Sequence, residues 1–149
     1  MPDLSNNKKA YYDFEILDKI EAGLVLTGPE VKSAKAGQID LKGSYVSLTS
    51  EGEAYLTKAH IAHYRPAATY QRDYDPDQNR KLLLKKRDLE RLIGKSVEAG
   101  TTIIPLRAYI KNGYIKVEIA VARGKKKHDK RESIKKRDFE RRKKQLLND

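Results

Sequence analysis

The sequence predicts a mainly β body with flanking helices, folded as a small closed antiparallel barrel, followed by a basic C-terminal tail. Three observations carry this expectation. Asn112-Gly113 sits at the centre of an alternating apolar run from 102 to 122. A second alternating run begins at Phe14. Residues 123–149 hold thirteen Lys or Arg against five Asp or Glu, and so carry +8 of the chain's net +11. Unpaired charge at that density would lose its hydration if buried, so the tail must face water or a polyanion.

Taken in order, residues 1–10 are polar and expected to be loose. From Phe14 the even positions Phe14, Ile16, Ile20, Ala22, Leu24 and Leu26 are apolar, while Glu15, Lys19 and Glu21 intervene. Period two over this length is a long strand with one wet face. Gly23 inside it predicts a bulge or a sharp bend. Thr27-Gly28-Pro29 then starts a helix, with a capping hydroxyl and a Pro in the first turn, where its missing N–H costs nothing. Glu30 stands where the helix dipole favours an anion, and Gly37 closes the helix. Lys32 and Lys35, three apart, form a basic ridge. Residues 44–49 and 53–61 read as strands joined at Ser50-Glu51-Gly52. Residues 64–81, rich in Pro, Asp, Asn and Tyr, read as a long surface connection. Leu89, Leu92, Ile93 and Val97 recur at helical spacing and predict a helix over 86–99, in spite of Gly94.

The hairpin is the sharpest local expectation. Asn-Gly supplies the two positive φ angles of a type I′ turn and pairs Lys111 with Tyr114. Counting outward, Ile110 meets Ile115, Ala108 meets Val117, Leu106 meets Ile119 and Ile104 meets Val121, all on one face. Tyr109 then meets Lys116, and Arg107 meets Glu118, on the other. These strands are too few for a sandwich, and a small barrel of the oligonucleotide-binding type is the natural solution.

At 149 residues the chain has room for one core-forming domain, here 1–122, with 123–149 as the tail. It has no Cys, so disulfides and thiolate metal sites are excluded. Its longest apolar runs are far below the ~20 residues that cross a bilayer, and its first residues lack a secretory apolar stretch. The expectation is a soluble cytoplasmic protein. His60 and His63 are three apart on a predicted strand and point to opposite faces, so they cannot share a ligand site there. Asp73, Asp75 and Asp77 alternate like calcium ligands, but the Gly and distal Glu of such a loop are missing. No nucleophile elbow or phosphate loop occurs, and no enzyme, metal or cofactor is expected. The basic balance points to nucleic acid first. Nine Tyr against two Phe and no Trp offer faces for stacking, although Tyr can equally cap a core with its hydroxyl in water. In the tail, Glu132–Lys136, Asp138–Arg142 and Glu140–Lys144 are acid-before-base pairs at i, i+4, which favour a helix. The apolar stripe of Phe139, Leu146 and Leu147 is thin, so the tail is expected to be mobile alone and to become helical against a polyanion.

Several segments resemble one family closely. They are Asn7-Lys8-Lys9-Ala10, Phe14 through Glu21-Ala22-Gly23-Leu24, Gly28-Pro29-Glu30-Val31-Lys32-Ser33-Ala34-Lys35-Ala36-Gly37, Asp40-Leu41-Lys42-Gly43-Ser44-Tyr45, Arg80-Lys81-Leu82-Leu83-Leu84, the stretch from Gly100 to Leu106, and Lys116-Val117 through Gly124-Lys125-Lys126-Lys127-His128-Asp129-Lys130-Arg131. In this order they are similar to small protein B, SmpB, the bacterial partner of transfer-messenger RNA. The resemblance implies a six-stranded barrel that binds the tRNA-like domain of that RNA and carries it to stalled ribosomes. It also implies a tail in the empty mRNA channel beside small-subunit rRNA at the decoding centre, no enzymatic activity, an indirect partnership with elongation factor Tu, no membrane and a monomer. The RNA-binding residues it implies are Asn7, Lys8, Glu21, Gly23, Glu30, Lys32, Lys35, Leu83 and Lys125, with Lys85 and Lys126 beside them. Lys35 departs from the Arg more usual there. Lys127, His128, Asp129, Lys130 and Arg131, followed by Lys135, Lys136 and Arg137, are implied as the ribosome-binding tail. The alternatives are a ribosomal or cold-shock-like protein using its sheet on single-stranded RNA, and a peripheral membrane binder, for which the tail's apolar stripe is weak.

Overall fold

The computed structural model describes residues 3–65, 73–125, 131 and 134–142. Ahead of the tail the elements run β1 (Asp3–Asn6), α1 (Lys8–Asp13), β2 (Phe14–Leu24), α2 (Gly28–Lys35), β3 (Ile39–Asp40), β4 (Tyr45–Leu48), β5 (Ala54–Thr57), β6 (His60–Ile61), β7 (Arg80–Leu83), α3 (Lys86–Ser96), β8 (Thr101–Lys111) and β9 (Tyr114–Gly124). The main sheet has seven strands rather than six, in the order β1-β8-β9-β2-β7-β5-β4, and every pairing in it is antiparallel. β3 and β6 form a separate two-stranded ribbon. Among the described residues no hydrogen-bonded ladder joins β4 back to the far side of the sheet. β4 nevertheless passes close to β8, across a cleft of about 370 Å³ lined by Asn7, Phe14, Lys42 and Tyr45 among others.

Two expectations change. The run 53–61 breaks into β5 and β6 because Lys58 takes φ 66°, a left-handed conformation that no strand can continue through. The N-terminus is not loose. β1 pairs with β8, and Asn7 fastens the chain behind it, its backbone amide donating to the Leu106 carbonyl (2.8 Å) and its Nδ2 to the Pro105 carbonyl (2.9 Å). Polar composition concealed this, because the partners lie about a hundred positions away.

The hairpin keeps its expected register from Lys111↔Tyr114 to Arg107↔Glu118. Beyond that it slips by one. Pro105 faces Ile119, Ile104 faces Ala120 and Ile103 faces Val121, so the expected pairs Leu106–Ile119 and Ile104–Val121 are not made. The cause is chemical: Pro105 has no N–H to give a ladder, and a Pro inside a strand belongs at a bulge. β2 bulges against the same partner between Ile16 and Asp18, not at Gly23 as expected.

Each bulge swaps the faces of its strand, because side chains alternate with period two. β9 runs straight between them. Val117, Ile119 and Val121 join the main core with Ile20, Ala22, Ile103 and Ala108. Ala120 and Ala122 point the other way, into a second core with Ala10, Ile104 and Leu106, against which Phe14 and Ile16 pack. The expected single wet face of β2 therefore holds only beyond its bulge.

α2 begins as expected. Thr27 caps it in a capping box: the Glu30 amide donates to Thr27 Oγ1 and the Thr27 amide donates to Glu30 Oε1. α3 stops at Ser96 instead of 99, and Gly94 within it meets open space. No described helix is long and apolar enough to cross a membrane.

Candidate nucleic-acid interface

The face of the sheet turned away from the main core carries one continuous row across four strands: Tyr109 on β8, itself buried, then Lys116 on β9, Gly23 on β2 and Leu83 on β7. A side chain at Gly23 would put its Cβ 3.4 Å from Leu83 Cβ and 3.6 Å from Lys116 Nζ. The two neighbours thus lean over the glycine from either side. Leu83 is 58% exposed.

Beside this row Glu21 is fixed from two directions. It accepts a short hydrogen bond from the Tyr109 hydroxyl and is bridged by Lys111 Nζ at 3.2 Å and 3.3 Å. The Tyr109 hydroxyl, and then Lys111 and Lys116, hold the Glu21 carboxyl below its ordinary range against the opposing effect of burial. Burial first, and the facing carboxylate second, push the Tyr109 phenol well up. Arg107 stacks over the Tyr109 ring at 4.2 Å and bridges Asp3 at 3.0 Å.

Glu30 does not share this surface. It is 2% exposed, and the first helical turn turns its carboxylate inward. Arg80 donates to it from Nε (2.9 Å), with Nη2 at 2.8 Å, and Gln78 Nε2 lies 3.3 Å away. Arg80 also donates to the Ala59 carbonyl (2.5 Å) and the Pro76 carbonyl (2.8 Å). The Tyr74 hydroxyl accepts from Arg80 Nη2 (2.9 Å) and lies 3.1 Å from Glu30 Oε2. Desolvation alone would raise the Glu30 pKa. The Thr27 amide and Arg80 outweigh it and hold the carboxyl below its ordinary value. Burial, with Glu30 beside it, pushes the Tyr74 phenol up to about 12. Glu30 is therefore the peg that seats α2 on the 73–80 connection, and the structure places it inside the body, paired with Arg80, rather than on the exposed face. On the same helix Lys32 and Lys35 are both exposed, with the Lys32 ammonium 5.6 Å from the Tyr64 ring centre.

A second group gathers at α1. Asn7 is 8% exposed and spends its amide on Pro105, so it fixes the start of α1 from within. Lys125 Nζ donates to the Tyr11 carbonyl at 3.0 Å. Lys8, Tyr11, Tyr12 and Lys125 line a cleft of about 520 Å³ that Lys136 and Arg137 complete from the tail. Residues 134–142 are helical, with every side chain exposed, and Arg137 lies over the Tyr12 ring at 5.4 Å. Arg131 and Lys135 are exposed. Lys126, Lys127, His128, Asp129 and Lys130 lie outside the described residues. Lys85 precedes the first turn of α3 and is exposed.

The fold thus brings Gly23 and Leu83 into contact beside Glu21, and gathers Lys8 and Lys125 separately at α1. Sequence reasoning missed Lys116 and Lys111 on the first surface. The hairpin register could have found them, since it already placed Lys116 opposite Tyr109. Tyr74 and Arg80 carried no local signal.

The family model described as "SmpB protein" matches residues 4–149. An SsrA-binding protein of Sulfurihydrogenibium sp. (strain YO3AOP1) is 51% identical over 138 residues, covering 93% of this chain and 89% of the relative. One from Pelobacter propionicus (strain DSM 2379 / NBRC 103807 / OttBd1) is 48% identical over 144 residues, covering 97% and 93%. A solved structure described as "tmRNA-SmpB: a journey to the center of the bacterial ribosome" superposes with a TM-score of 0.66 at 41% identity, covering 87% of this chain and 92% of that one. Sequence, length and fold agree along nearly the whole chain, and it belongs to the SmpB family.

Proposed function

We propose that this protein binds the tRNA-like domain of transfer-messenger RNA and delivers it to stalled ribosomes for trans-translation. The observation that carries the reading is the shared family, whose relatives are named SsrA-binding proteins and whose solved neighbour is a tmRNA–SmpB assembly. The surface chemistry supports it: cations and a glycine gap are held on a rigid sheet, as recognition of folded RNA by shape requires. In this reading the Gly23–Leu83 surface with Glu21, Lys32 and Lys35 meets the folded RNA, and Lys8 and Lys125 extend the contact. Glu30 and Asn7 act from inside by holding α2 and α1 in place. The body works as a barrel whose seam between β4 and β8 is closed by packing rather than by a ladder.

The tail, with Arg131, Lys135, Lys136 and Arg137, is the second attachment. It enters the vacant mRNA channel near the decoding centre, where rRNA phosphates supply the counter-charge its helix needs. The protein is a monomeric cytoplasmic carrier, meets elongation factor Tu only through the alanylated RNA, and does no chemistry of its own.

The test is competition binding of a tRNA-like-domain fragment of transfer-messenger RNA against an ordinary tRNA and a short single strand, with the full chain and with a chain ending at Lys125, which keeps β9 and its RNA-facing lysine. Preference for the fragment in both chains, with ribosomal tagging lost only in the shorter one, is the expected result. Equal binding of all three RNAs would overturn the assignment, and unimpaired tagging by the shorter chain would overturn the role given to the tail.

A further inference from the structure

The sheet's cations are almost all committed. Among the described residues Arg80 is paired with Glu30, Lys81 with Glu53, Arg107 with Asp3 and Glu118, Lys111 with Glu21 and Arg123 with Glu98. Lys19 has the Tyr11 ring. Of the Lys and Arg on the strands of the main sheet, Lys116 alone makes no ion pair, hydrogen bond or ring contact with the described residues.

That is an unusual place for an idle ammonium. Lys116 is half-buried, and its ammonium comes close to the backbone of Gly23 on the neighbouring strand. The neighbouring carboxylate does not take it, because Glu21 is already engaged by Tyr109 and Lys111. Its charge is felt at Glu21 only through space. The ammonium stands over Gly23, 3.6 Å from where a Cβ would be. On the opposite side of that space Leu83 offers an exposed apolar ledge.

We infer that Lys116, seated over Gly23, is a phosphate-gripping residue of the RNA interface, and that the glycine is required there to leave the seat open. The inference rests on the RNA-binding reading and adds a residue to it. A backbone phosphate approaching the sheet would find a pre-positioned cation and no side chain in its path, while the sugar beside it would rest on Leu83. Glu21, held by its own partners, keeps the cation local without neutralising it. The recognised group is a phosphodiester of folded RNA, so the contact sets position rather than sequence.

The experiment measures affinity of the full-length protein for the tRNA-like-domain fragment across a salt series, using Lys116→Gln, Lys116→Arg, Gly23→Val and the Lys116→Gln/Gly23→Val double variant. Lys116→Gln should bind roughly tenfold more weakly, the size of one charge-assisted hydrogen bond. Its log–log salt slope should be shallower by roughly 0.7–0.9, the share of one phosphate. Lys116→Arg should keep the wild-type slope. Gly23→Val should lose affinity, and the double variant should be little worse than either single one. A Lys116→Gln protein with wild-type affinity and slope would overturn the inference even where the wild type prefers the fragment, and strictly additive losses would overturn the role of the glycine. If wild type shows no preference for the fragment, the functional reading fails instead. A fold defect would not mimic the result, because it leaves the slope unchanged.

Discussion

Replacing Arg80 with Ala removes the cation that pairs with Glu30 while leaving its carboxylate in place. The pair is 1% and 2% exposed at its side chains, so water does not take over the lost contacts. Breaking a buried pair from one side costs roughly 3–5 kcal/mol. The Ala59 and Pro76 carbonyls lose their donor at the same time, which holds the expected value to the upper part of that range. Against the roughly 5–15 kcal/mol that stabilises a domain, this is a large fraction. It corresponds to a fall in Tm of roughly 6–20 °C at about 2–4 °C per kcal/mol.

The pH dependence gives the prediction its signature. In the wild type the Glu30 carboxyl lies below its ordinary value of 4.5, so its contribution is complete above that value and is lost as pH falls through the folded pKa. Without Arg80, desolvation is left as the main influence, the carboxyl moves upward, and the cost is greatest at neutral pH. It shrinks once Glu30 can take a proton. Thermal unfolding followed by circular dichroism, near neutral pH and again well below 4.5, should therefore show a wide gap between the two proteins that narrows in acid. A gap of under about 2 °C at neutral pH would refute the reasoning, since it would mean that breaking the pair from one side costs under roughly 1 kcal/mol. So would a gap independent of pH.

Two further outcomes follow from other contacts. Asn7→Ala orphans the Pro105 carbonyl and should cost roughly 1–3 kcal/mol. Hydrogen exchange should reveal faster opening of α1 and β1 than of the hairpin, and uniform protection would count against the anchoring role. Glu21→Gln removes the carboxylate that helps to hold the Tyr109 phenol up. One tyrosine in a spectrophotometric titration should then ionise at lower pH, though still above its ordinary value because burial persists, and an unchanged titration would remove Glu21 as a partner.

Local chemistry made much of this fold legible. The Asn112-Gly113 turn fixed the hairpin register up to Arg107–Glu118, and Thr27-Gly28-Pro29-Glu30 marked the helix start. What failed was long-range. Pro105 was visible, but its effect, a bulge that turns Ile104 and Leu106 toward a second core, required knowing that α1 would fill that side. Glu30 looked like a surface anion at a helix start because Arg80, its partner, lies 50 positions later. Asn7 looked like part of a polar leader for the same reason. On the candidate surface, Gly23 and Leu83 came from resemblance, and their contact came from the pairing of β2 with β7. Lys116 was readable in the hairpin, but nothing in the sequence says that its ammonium would be left without a partner.

Asn7 and the carbonyl that receives its side chain are separated by 98 positions. At roughly 5–20 residues per second of synthesis, the leading segment must wait some seconds before its partner strand exists. Phe14 waits longer still, since its partner in the sheet is Gly124. Non-local closure of this kind costs entropy before its contacts compensate, so β1 should find its place only after the local hairpin of β8 and β9 has formed.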